Sequence, residues 1–345
     1  MSTKTITDGA SYPQMSDLAQ VAGVSLATVD RVINRRKGVK ERTVHRVLEA
    51  AREIGFLSEA DLERYTATRP PNIVFLLPAG TNPYLRLLGE RLRARAARAT
   101  VQTPAIRCFF IDSFSVSALA DALRRHRNWA DGIVFFAIDH PQVREAVGEV
   151  AATGTRLVTL VSDLHHAGRS AYVGLDNHAC GRTAGLLISR FSAAQSGSIA
   201  LVAGSRNYRA HSEREAGFLS IMEELNPRLK IIGMREGHDD SAENYRHTIT
   251  LMEQNPDLVG IYNVGGSSGG IARALEERKR QDIVFIGHGL TADTRLSLVK
   301  GTLDAILNTD PERLLDCAIA QITATEPQNA APKIHLDIYF RENLP

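Results

Sequence analysis

Residues 17–34 read DLAQVAGVSLATVDRVIN and decide the first part of the fold. The first half has apolar residues at helical spacing, and Gly23 follows as a stop signal. Ser25 stands at an N-cap position ahead of a second amphipathic stretch, 26–33. The spacing therefore predicts two short helices joined by a tight turn.

The surrounding sequence extends this pair into a small domain. A third amphipathic stretch, 41–54, ends at Gly55, and three short helices at this spacing are typical of a helix-turn-helix unit. We predict that this DNA-binding domain covers 14–57, after a polar tail over 1–13. A linker over 58–71 follows and stops at a proline pair.

Beyond residue 72, apolar runs of strand length alternate with stretches of helical spacing. The runs are 73–78, 106–111, 132–137, 156–161, 198–204, 229–234, 258–263 and 282–287. This alternation predicts an α/β fold with doubly wound parallel sheets. Because so many strands exceed one comfortable sheet, we expect two lobes split near Asp176. The first would hold about 72–175 with part of 303–334, and the second about 176–302 with the C-terminal strand.

Length and composition agree with a soluble globular chain of two or three folding units. The chain has 345 residues, of which 43% are hydrophobic and 23% charged. It contains no apolar run near the ~18 residues of a membrane span and no apolar stretch at its start. Cys108, Cys180 and Cys317 lie far apart and suit buried free thiols. We expect a cytoplasmic protein.

Charge is distributed unevenly along the chain. The formal net charge is only +2, yet the stretch 31–46 carries seven Lys and Arg residues against one Glu, a local excess of +6. A basic patch of this kind suits a polyanion such as double-stranded DNA.

The stretch 17–34 resembles the DNA-binding signature of the LacI family of bacterial transcription regulators. The similarity continues through VKERTVHRVLEAAREIGF at 39–56. It extends more loosely over the rest of 14–345, which is similar to the periplasmic sugar-binding proteins that serve the family as sensor domains. The resemblance implies a homodimer on a pseudo-palindromic operator, controlled by a sugar or sugar-like effector.

The second helix of such a motif presents its first residues to base edges in the major groove. Leu26 and Ala27 stand there and can offer only apolar contact, for instance to a thymine methyl group. Hydrogen-bonded readout then falls to Arg31 and Asn34, although Arg31 has the alternative of a solvated charge.

Two hydroxyl side chains begin the same helix. Ser25 and Thr28 are expected to bind phosphates and set the register of the helix on DNA. The equally supported alternative is that they only cap the helix.

Asp30 departs from the family pattern, which usually has Ser at this position. A carboxylate can accept a hydrogen bond from cytosine, pair with Arg31 or Arg35, or face away from the duplex. We therefore expect an operator sequence unlike that of typical members, with a solvated Asp as the alternative.

The linker departs from the family pattern as well. Members usually carry a hinge helix whose Leu wedges into the minor groove, and here the aligned residues 62–65 read LERY. Tyr65 falls on the wedge position, and insertion by Tyr65 or Leu62 would kink the DNA. The alternative is a helix that packs only against its dimer mate.

Polar side chains follow several of the predicted strands, where α/β folds bind small ligands. A sugar requires Asp, Asn and Arg groups for its hydroxyls and an aromatic face for its ring. By resemblance, the firmer pocket positions are Asn82, Tyr84, Asp176 and Arg214, and the less firm are Asp163, His211, Asn263 and His288.

Four of these positions have a structural alternative. Asp176 could cap a helix, Arg214 could form a surface ion pair, and the two lone histidines could be structural. Gly289 stands where related regulators commonly have an acidic residue, which puts a typical hexose or ribose geometry in doubt. The stretch GGSSGG at 265–270 lacks the spacing and the Lys of a phosphate-binding loop and suits a tight turn.

No enzyme motif emerges from the sequence, and we expect no cofactor and no metal. The leading hypothesis is a sequence-specific DNA-binding regulator, more naturally a repressor released by its effector, although co-repression stays open. The alternatives are a solute-binding protein for sugar uptake and a sugar-processing enzyme.

Overall fold

The structure is a computed structural model that describes residues 12–36, 38–58, 61–62, 69–100, 102–165, 168–194, 196–324 and 334–345. The chain divides into two compact units, Met1–Arg69 and Pro70–Pro345. Each unit has its own buried core, and each is described by itself below.

The described part of the first unit contains three helices. They are α1 (Met15–Ala22), α2 (Leu26–Ile33) and α3 (Glu41–Glu53). Gly23 adopts the left-handed conformation (φ 60°) that ends α1, where a residue with a Cβ would be strained. Leu18, Val29 and Val47 are fully buried together, one from each helix. The predicted helix-turn-helix is confirmed, with the bounds of the second helix as expected.

The first lobe of the larger unit is built on a five-stranded parallel sheet in the order β2-β1-β3-β4-β5. Its elements are β1 (Asn72–Pro78), α4 (Pro83–Ala97), β2 (Ala105–Ile111), α5 (Val116–His126), β3 (Gly132–Phe135), α6 (Pro141–Ala151), β4 (Arg156–Leu160) and β5 (Ala171–Val173). Residues 73–78 of β1 are all buried, as expected for a parallel strand with helices on both faces of its sheet.

The second lobe is built on a six-stranded sheet in the order β11-β10-β9-β8-β6-β7, in which only β11 runs antiparallel. Its elements are α7 (Asn177–Phe191), β6 (Gly197–Ala203), α8 (Arg209–Leu225), β7 (Leu229–Glu236), α9 (Ser241–Gln254), β8 (Leu258–Asn263), α10 (Gly269–Glu277), β9 (Val284–His288), α11 (Ala292–Lys300), β10 (Ala305–Asn308) and β11 (Asp337–Tyr339). Alternate residues of β6 join separate clusters, so both faces of this sheet are covered.

The chain passes between the two lobes more than once. Residues 174–176 lead from β5 to α7, and residues 309–310 lead from β10 back to α12 (Pro311–Thr323), which packs on β4 and β5 of the first lobe. The two-lobed, doubly wound α/β architecture is confirmed, and each of the eight predicted runs overlaps a strand. The short strands β5 and β10 were not predicted, and β11 is the C-terminal strand expected in the second lobe.

Candidate functional site

A cavity lies between the two lobes, at the carboxyl ends of their parallel strands. Its empty volume is about 510 Å³, which includes space open to solvent. The lining residues are Asn82, Tyr84, Leu85, Phe136 and Val161 from the first lobe, His211, Arg214, Asp239, Gly265, Gly266, His288, Gly289 and Leu307 from the second, and Thr309 at a crossing between lobes. Five of the eight predicted effector residues are therefore brought together here.

Arg214 is a cation buried against this cavity. It lies on α8 and is only 6% exposed. Its Nε donates to Oδ1 of Asn177 (2.9 Å) and its Nη1 donates to the backbone carbonyl of Val264 (2.8 Å). Within the described residues, no carboxylate oxygen lies within 4.0 Å of its nitrogens. Arg214 is thus held in place by neutral groups and not by the surface ion pair considered from the sequence.

Two glycines let α7 and α8 approach each other closely beside this arginine. A Cβ on Gly181 would lie 1.9 Å from the carbonyl oxygen of Arg214, and a Cβ on Gly217 would lie 2.0 Å from that of His178. Only residues without a Cβ fit at these contacts. The backbone position of Arg214 is therefore set by the packing of the two helices.

Asp239 joins the two lobes across the cavity. Its carboxylate accepts from the backbone N–H of Gly266 in the second lobe (2.7 Å) and from Nδ2 of Asn82 in the first (2.9 Å). Its backbone carbonyl accepts from the hydroxyls of Thr81 and Ser267, again one from each lobe. Asp239 itself has a positive φ of 52°, an unfavourable conformation that these contacts stabilise. Its hydrogen bonds hold the cleft closed.

Tyr208 makes a second contact between the lobes. It precedes α8 in the second lobe, yet its side chain is buried in the core of the first. Its ring lies edge-on to Phe136 (4.8 Å between centroids) and tilted against Phe114 (5.2 Å). The closed cleft is thus stabilised by apolar packing as well as by hydrogen bonds.

Both histidines that line the cavity are neutral near pH 7. Burial lowers the pKa of His211 to about 4; the Asp239 carboxylate opposes this change and the Arg214 guanidinium adds to it. The pKa of His288 lies well below its usual value because of burial and the nearby Arg214 guanidinium. Nδ1 of His211 lies 2.8 Å from the backbone carbonyl of Ser205 and 3.3 Å from the Ser205 N–H. A carbonyl can only accept, so the shorter contact assigns the ring proton to Nδ1 and leaves a lone pair on Nε2. His288 bonds to the hydroxyl of Tyr262 through Nε2 (2.8 Å).

Asn82 and Tyr84 form the first-lobe side of the cavity at the start of α4. Oδ1 of Asn82 accepts from the backbone N–H of Tyr84 (3.0 Å), while its Nδ2 reaches Asp239. The Tyr84 hydroxyl donates to the carbonyl of Thr309 (2.9 Å). Burial raises the pKa of this phenol, so it stays protonated. The Tyr84 side chain also lines the cavity.

Three predicted effector residues do not line the cavity. Asp163 pairs with Arg169 and accepts from the hydroxyl of Thr159; burial opposes its ionisation, but these bonds hold its pKa below the usual value. Asp176 is exposed and caps α7 by accepting from the N–H of Ala179 (2.9 Å). Helix capping was the structural alternative considered for it from the sequence.

Asn263 is the third of these residues. It is fully buried, and its Nδ2 donates to the Gly266 carbonyl and the Ser268 hydroxyl. It therefore supports the loop that carries Gly265 and Gly266 at the cavity. In each of the three cases, partners close in sequence bond to the polar group, although Oδ1 of Asn263 is buried without a partner among the described residues.

Sequence reasoning missed Asp239 and Asn177. Asp239 follows β7, an edge strand with a mixed burial pattern, so the rule that ligands bind after strands could have found it. Asn177 stands beside the predicted Asp176 and orients Arg214 from the start of α7.

In the first unit, the exposed face of α2 carries the predicted DNA-reading residues. Leu26 is 54% exposed, and Ala27, Arg31 and Asn34 are exposed with it. The Ser25 hydroxyl accepts from the backbone N–H of Thr28 (3.2 Å), which caps the helix. This bond accounts for one of the two roles considered for Ser25 and leaves phosphate contact a prediction.

Asp30 pairs within its own helix end. Its carboxylate accepts from Nδ2 of Asn34 (2.7 Å) and from Nη1 of Arg36 (2.9 Å). Arg36 was not among the partners expected from the sequence. The Nδ2 group of Asn34 is therefore already hydrogen-bonded to Asp30. Asn34 is one of the two side chains predicted to read bases by hydrogen bonds.

The two predicted wedge residues of the linker differ in what can be said of them. Leu62 is helical and only 8% exposed, whereas Tyr65 lies outside the described residues. Wedge insertion stays a prediction for both.

The described residues contain neither a metal-binding cluster nor a membrane-spanning helix. No group of three or more His, Cys, Asp or Glu side chains is placed there to hold a metal ion. Every helix in these ranges is also too short or too polar for a bilayer crossing.

Comparison with known proteins gives two family matches. Residues 73–324 match the family model described as periplasmic binding protein domain, and residues 14–59 match that of bacterial regulatory proteins, lacI family.

Individual relatives agree with these matches. Catabolite control protein A of Streptococcus mutans is 34% identical over 74 residues, which cover 21% of this chain and 22% of that protein. The D-apiose import binding protein of Paraburkholderia graminis is 22% identical over 284 residues, which cover 75% of this chain and 83% of that protein. The chain thus aligns with about a fifth of the length of catabolite control protein A.

Among solved structures, GanP, a glucose-galactose binding protein from Geobacillus stearothermophilus, has a similar fold. Its TM-score is 0.71 at 20% identity, over 81% of this chain and all (100%) of that one.

Proposed function

This chain belongs to the lacI family of bacterial regulatory proteins, and on that basis we propose that it is a sequence-specific DNA-binding transcription regulator. A small sugar or sugar derivative bound between the lobes would control its affinity for an operator. The observation that carries this proposal is that one chain combines an exposed helix α2 with a cleft whose lobes are joined by Asp239.

The mechanism would be a coupling between cleft and operator. An effector that binds one arrangement of the lobes better than another shifts the balance between them, and such coupling is typically worth about 1–3 kcal/mol. Asn82 and Asp239 both line the cavity and bond to each other across it, so a ligand there would compete for this bond. Release from DNA on effector binding is the direction that the family resemblance favours.

We further propose a cytoplasmic homodimer that binds its effector without converting it. A dimer would place two copies of α2 in successive major grooves of a pseudo-palindromic operator, one helical turn apart. Leu26 and Ala27 would then contact bases through apolar atoms, and Arg31 would supply hydrogen bonds or phosphate contact.

The test is a selection from randomised duplexes, followed by binding measurements on the selected sequence at several salt concentrations. We expect Arg31→Ala to weaken binding at least about 10-fold and, if the arginine contacts phosphate, to reduce the salt slope by about one. Arg98→Ala is the matched control, because it removes an exposed arginine of the larger unit. Failure of the purified protein to shift any duplex at low salt would contradict the proposal.

A solute-binding protein for sugar uptake is the second candidate. The long alignment with the D-apiose import binding protein favours it, since that alignment covers 75% of this chain. It predicts sugar binding with no binding to any selected duplex, so the same experiment separates the two functions.

A further inference from the structure

We propose that the effector is an acid, a polyhydroxy carboxylate such as a sugar acid, whose carboxylate pairs with Arg214. This inference deepens the proposed function by naming the ligand class of its cleft. It rests on the cleft being the effector site and does not depend on DNA binding.

The first step is that Arg214 is a buried cation without an anion. It is 6% exposed, and its two hydrogen bonds go to a neutral amide oxygen and a neutral backbone carbonyl. A guanidinium has five N–H groups, and burying its charge is costly unless an anion compensates it. No carboxylate of the described residues lies within 4.0 Å, so the guanidinium is available to pair with an anion that a ligand brings into the cavity.

The second step is that the histidine and tyrosine rings around Arg214 carry no charge. His211 and His288 line the same cavity, and their lowered pKa values leave both rings neutral. Burial raises the pKa of the Tyr84 and Tyr262 phenols, which stay protonated. Neutral rings neither compete for the guanidinium nor repel an anion that approaches it.

The third step concerns Asp239, the single carboxylate among the described lining residues. One of its oxygens accepts from the Gly266 N–H and the other from Asn82, so it is already engaged away from Arg214. Its remaining lone pairs can accept from hydroxyl groups, as can Nε2 of His211. The cavity thus offers a cationic donor at one place and acceptors at others, which fits a molecule with one carboxylate and several hydroxyls.

A carboxylate suits the guanidinium better than a sugar hydroxyl does. Arginine binds carboxylates through two parallel charge-assisted hydrogen bonds, and each is roughly twice as strong as a neutral one. In a site shielded from water this difference is large, because removing one partner of such a buried pair typically weakens binding at least about 30-fold.

The experiment compares acids with their parent sugars by titration calorimetry on the full chain. The pairs are D-gluconate with D-glucose, D-galactonate with D-galactose, and the two corresponding uronates with the same aldoses. We expect at least one acid to bind at least about 30-fold more tightly than its parent. The measured quantity is the acid-to-aldose affinity ratio. The uronates keep the pyranose ring of the parent sugar, so in their ratios the contribution of the shared ring hydroxyls largely cancels, whereas the aldonates are open chains and test the carboxylate in a second geometry.

Three variants locate the origin of that ratio. It should fall at least about 10-fold in Arg214→Met and rise in Asp239→Asn, which removes the negative charge from the same cavity. Arg182→Met is the matched control: Arg182 lies on α7, pairs with Glu224 and does not line the cavity, so the ratio should not change. Should Arg214→Met fail to fold, the ratio in the unmodified chain and its rise in Asp239→Asn still decide.

Several results would overturn the inference. They are a ratio at or below one in the unmodified chain, a ratio that Arg214→Met leaves unchanged, or no binding of any acid at about 10 mM. Duplex binding that responds only to a neutral sugar would remove this inference and keep the regulator. Acid binding without binding to any duplex would keep the inference and remove the regulator.

Discussion

The cleft and the exposed face of α2 both present charged groups to a ligand, but they differ in how much water surrounds those groups. Arg214 in the cleft is 6% exposed, whereas the side chains of Arg36 and Asp30 near α2 are 64% and 39% exposed. Electrostatic interactions are strong where water is excluded and weak where it is not. Single changes in the cleft should therefore have large effects, and those on α2 should act mainly through DNA preference.

The largest effect should come from the helix contact that positions Arg214. Gly217→Ala places a Cβ 2.0 Å from the His178 carbonyl, and we expect the free energy of unfolding to fall by about 3 kcal/mol or more. Gly148→Ala on α6 is the control, since its Cβ meets no atom within 4 Å. It should stabilise the chain by about 0.5–1 kcal/mol. Equal effects in denaturant titrations would contradict this account of the packing.

The next effect is a pH dependence from His211. Its pKa is about 4 in the folded chain, below the ordinary 6.5, so between these values the unfolded chain binds a proton that the folded chain does not. The contribution of the neutral His211 to the free energy of unfolding is therefore fully present above about pH 6.5. It is lost as the pH falls to 4, by up to about 3 kcal/mol. Burial and the Arg214 guanidinium favour this direction, while Asp239, the bond to the Ser205 backbone and Glu236 oppose it.

Denaturant titrations at pH 7 and pH 5 measure this dependence. His211→Gln should flatten the curve, and His178→Gln, an exposed histidine on α7, should not. If the two variants keep the same slope, the buried state of His211 does not control stability in acid.

A smaller effect is expected at Asp30. Asp30→Ser breaks the exposed contacts with Asn34 and Arg36, and exposed pairs of this kind contribute about 0.2–1 kcal/mol to stability. The released side chains can reach DNA, so the selected duplex should change at one or more positions. An unchanged selected sequence would show that Asp30 does not influence specificity.

The smallest effect on stability should come from Leu26→Ala. Leu26 is 54% exposed, so the free energy of unfolding should change by less than about 0.5 kcal/mol. Preference for one base pair in the selected duplex should weaken, because the larger apolar contact with a thymine methyl is lost. An unchanged preference would place the reading of sequence on other residues.

The central strands could be predicted closely because they are long and buried on both faces. The run 258–263 is β8, and 73–78 differs from β1 by one residue. By contrast, β5 and β10 have only three and four residues and were not predicted, whereas the equally short β3 belongs to a longer apolar run, 132–137. The C-terminal strand was expected without bounds, because β11 pairs at the edge of its sheet, where apolar residues are not required on both faces.

The candidate site was predictable only in part, for a different reason. Arg214 and Asn82 follow strands and have the chemistry that a ligand requires, and both line the cavity. Asp163 and Asp176 meet the same criteria, yet Arg169 and the start of α7 take up their charges. Sequence shows which groups can bind a ligand, but the local geometry decides which of them stay available.

Tyr208 gives the closed cleft a temperature dependence. Any separation of the lobes would draw this side chain out of the first-lobe core and expose apolar surface of Phe136 to water. Exposure of apolar surface increases the heat capacity, so the enthalpy of opening would rise with temperature. A cleft held closed by hydrogen bonds alone would not show this increase in heat capacity on opening. A van't Hoff plot of the effector concentration needed for a half-maximal response should therefore be curved and not linear.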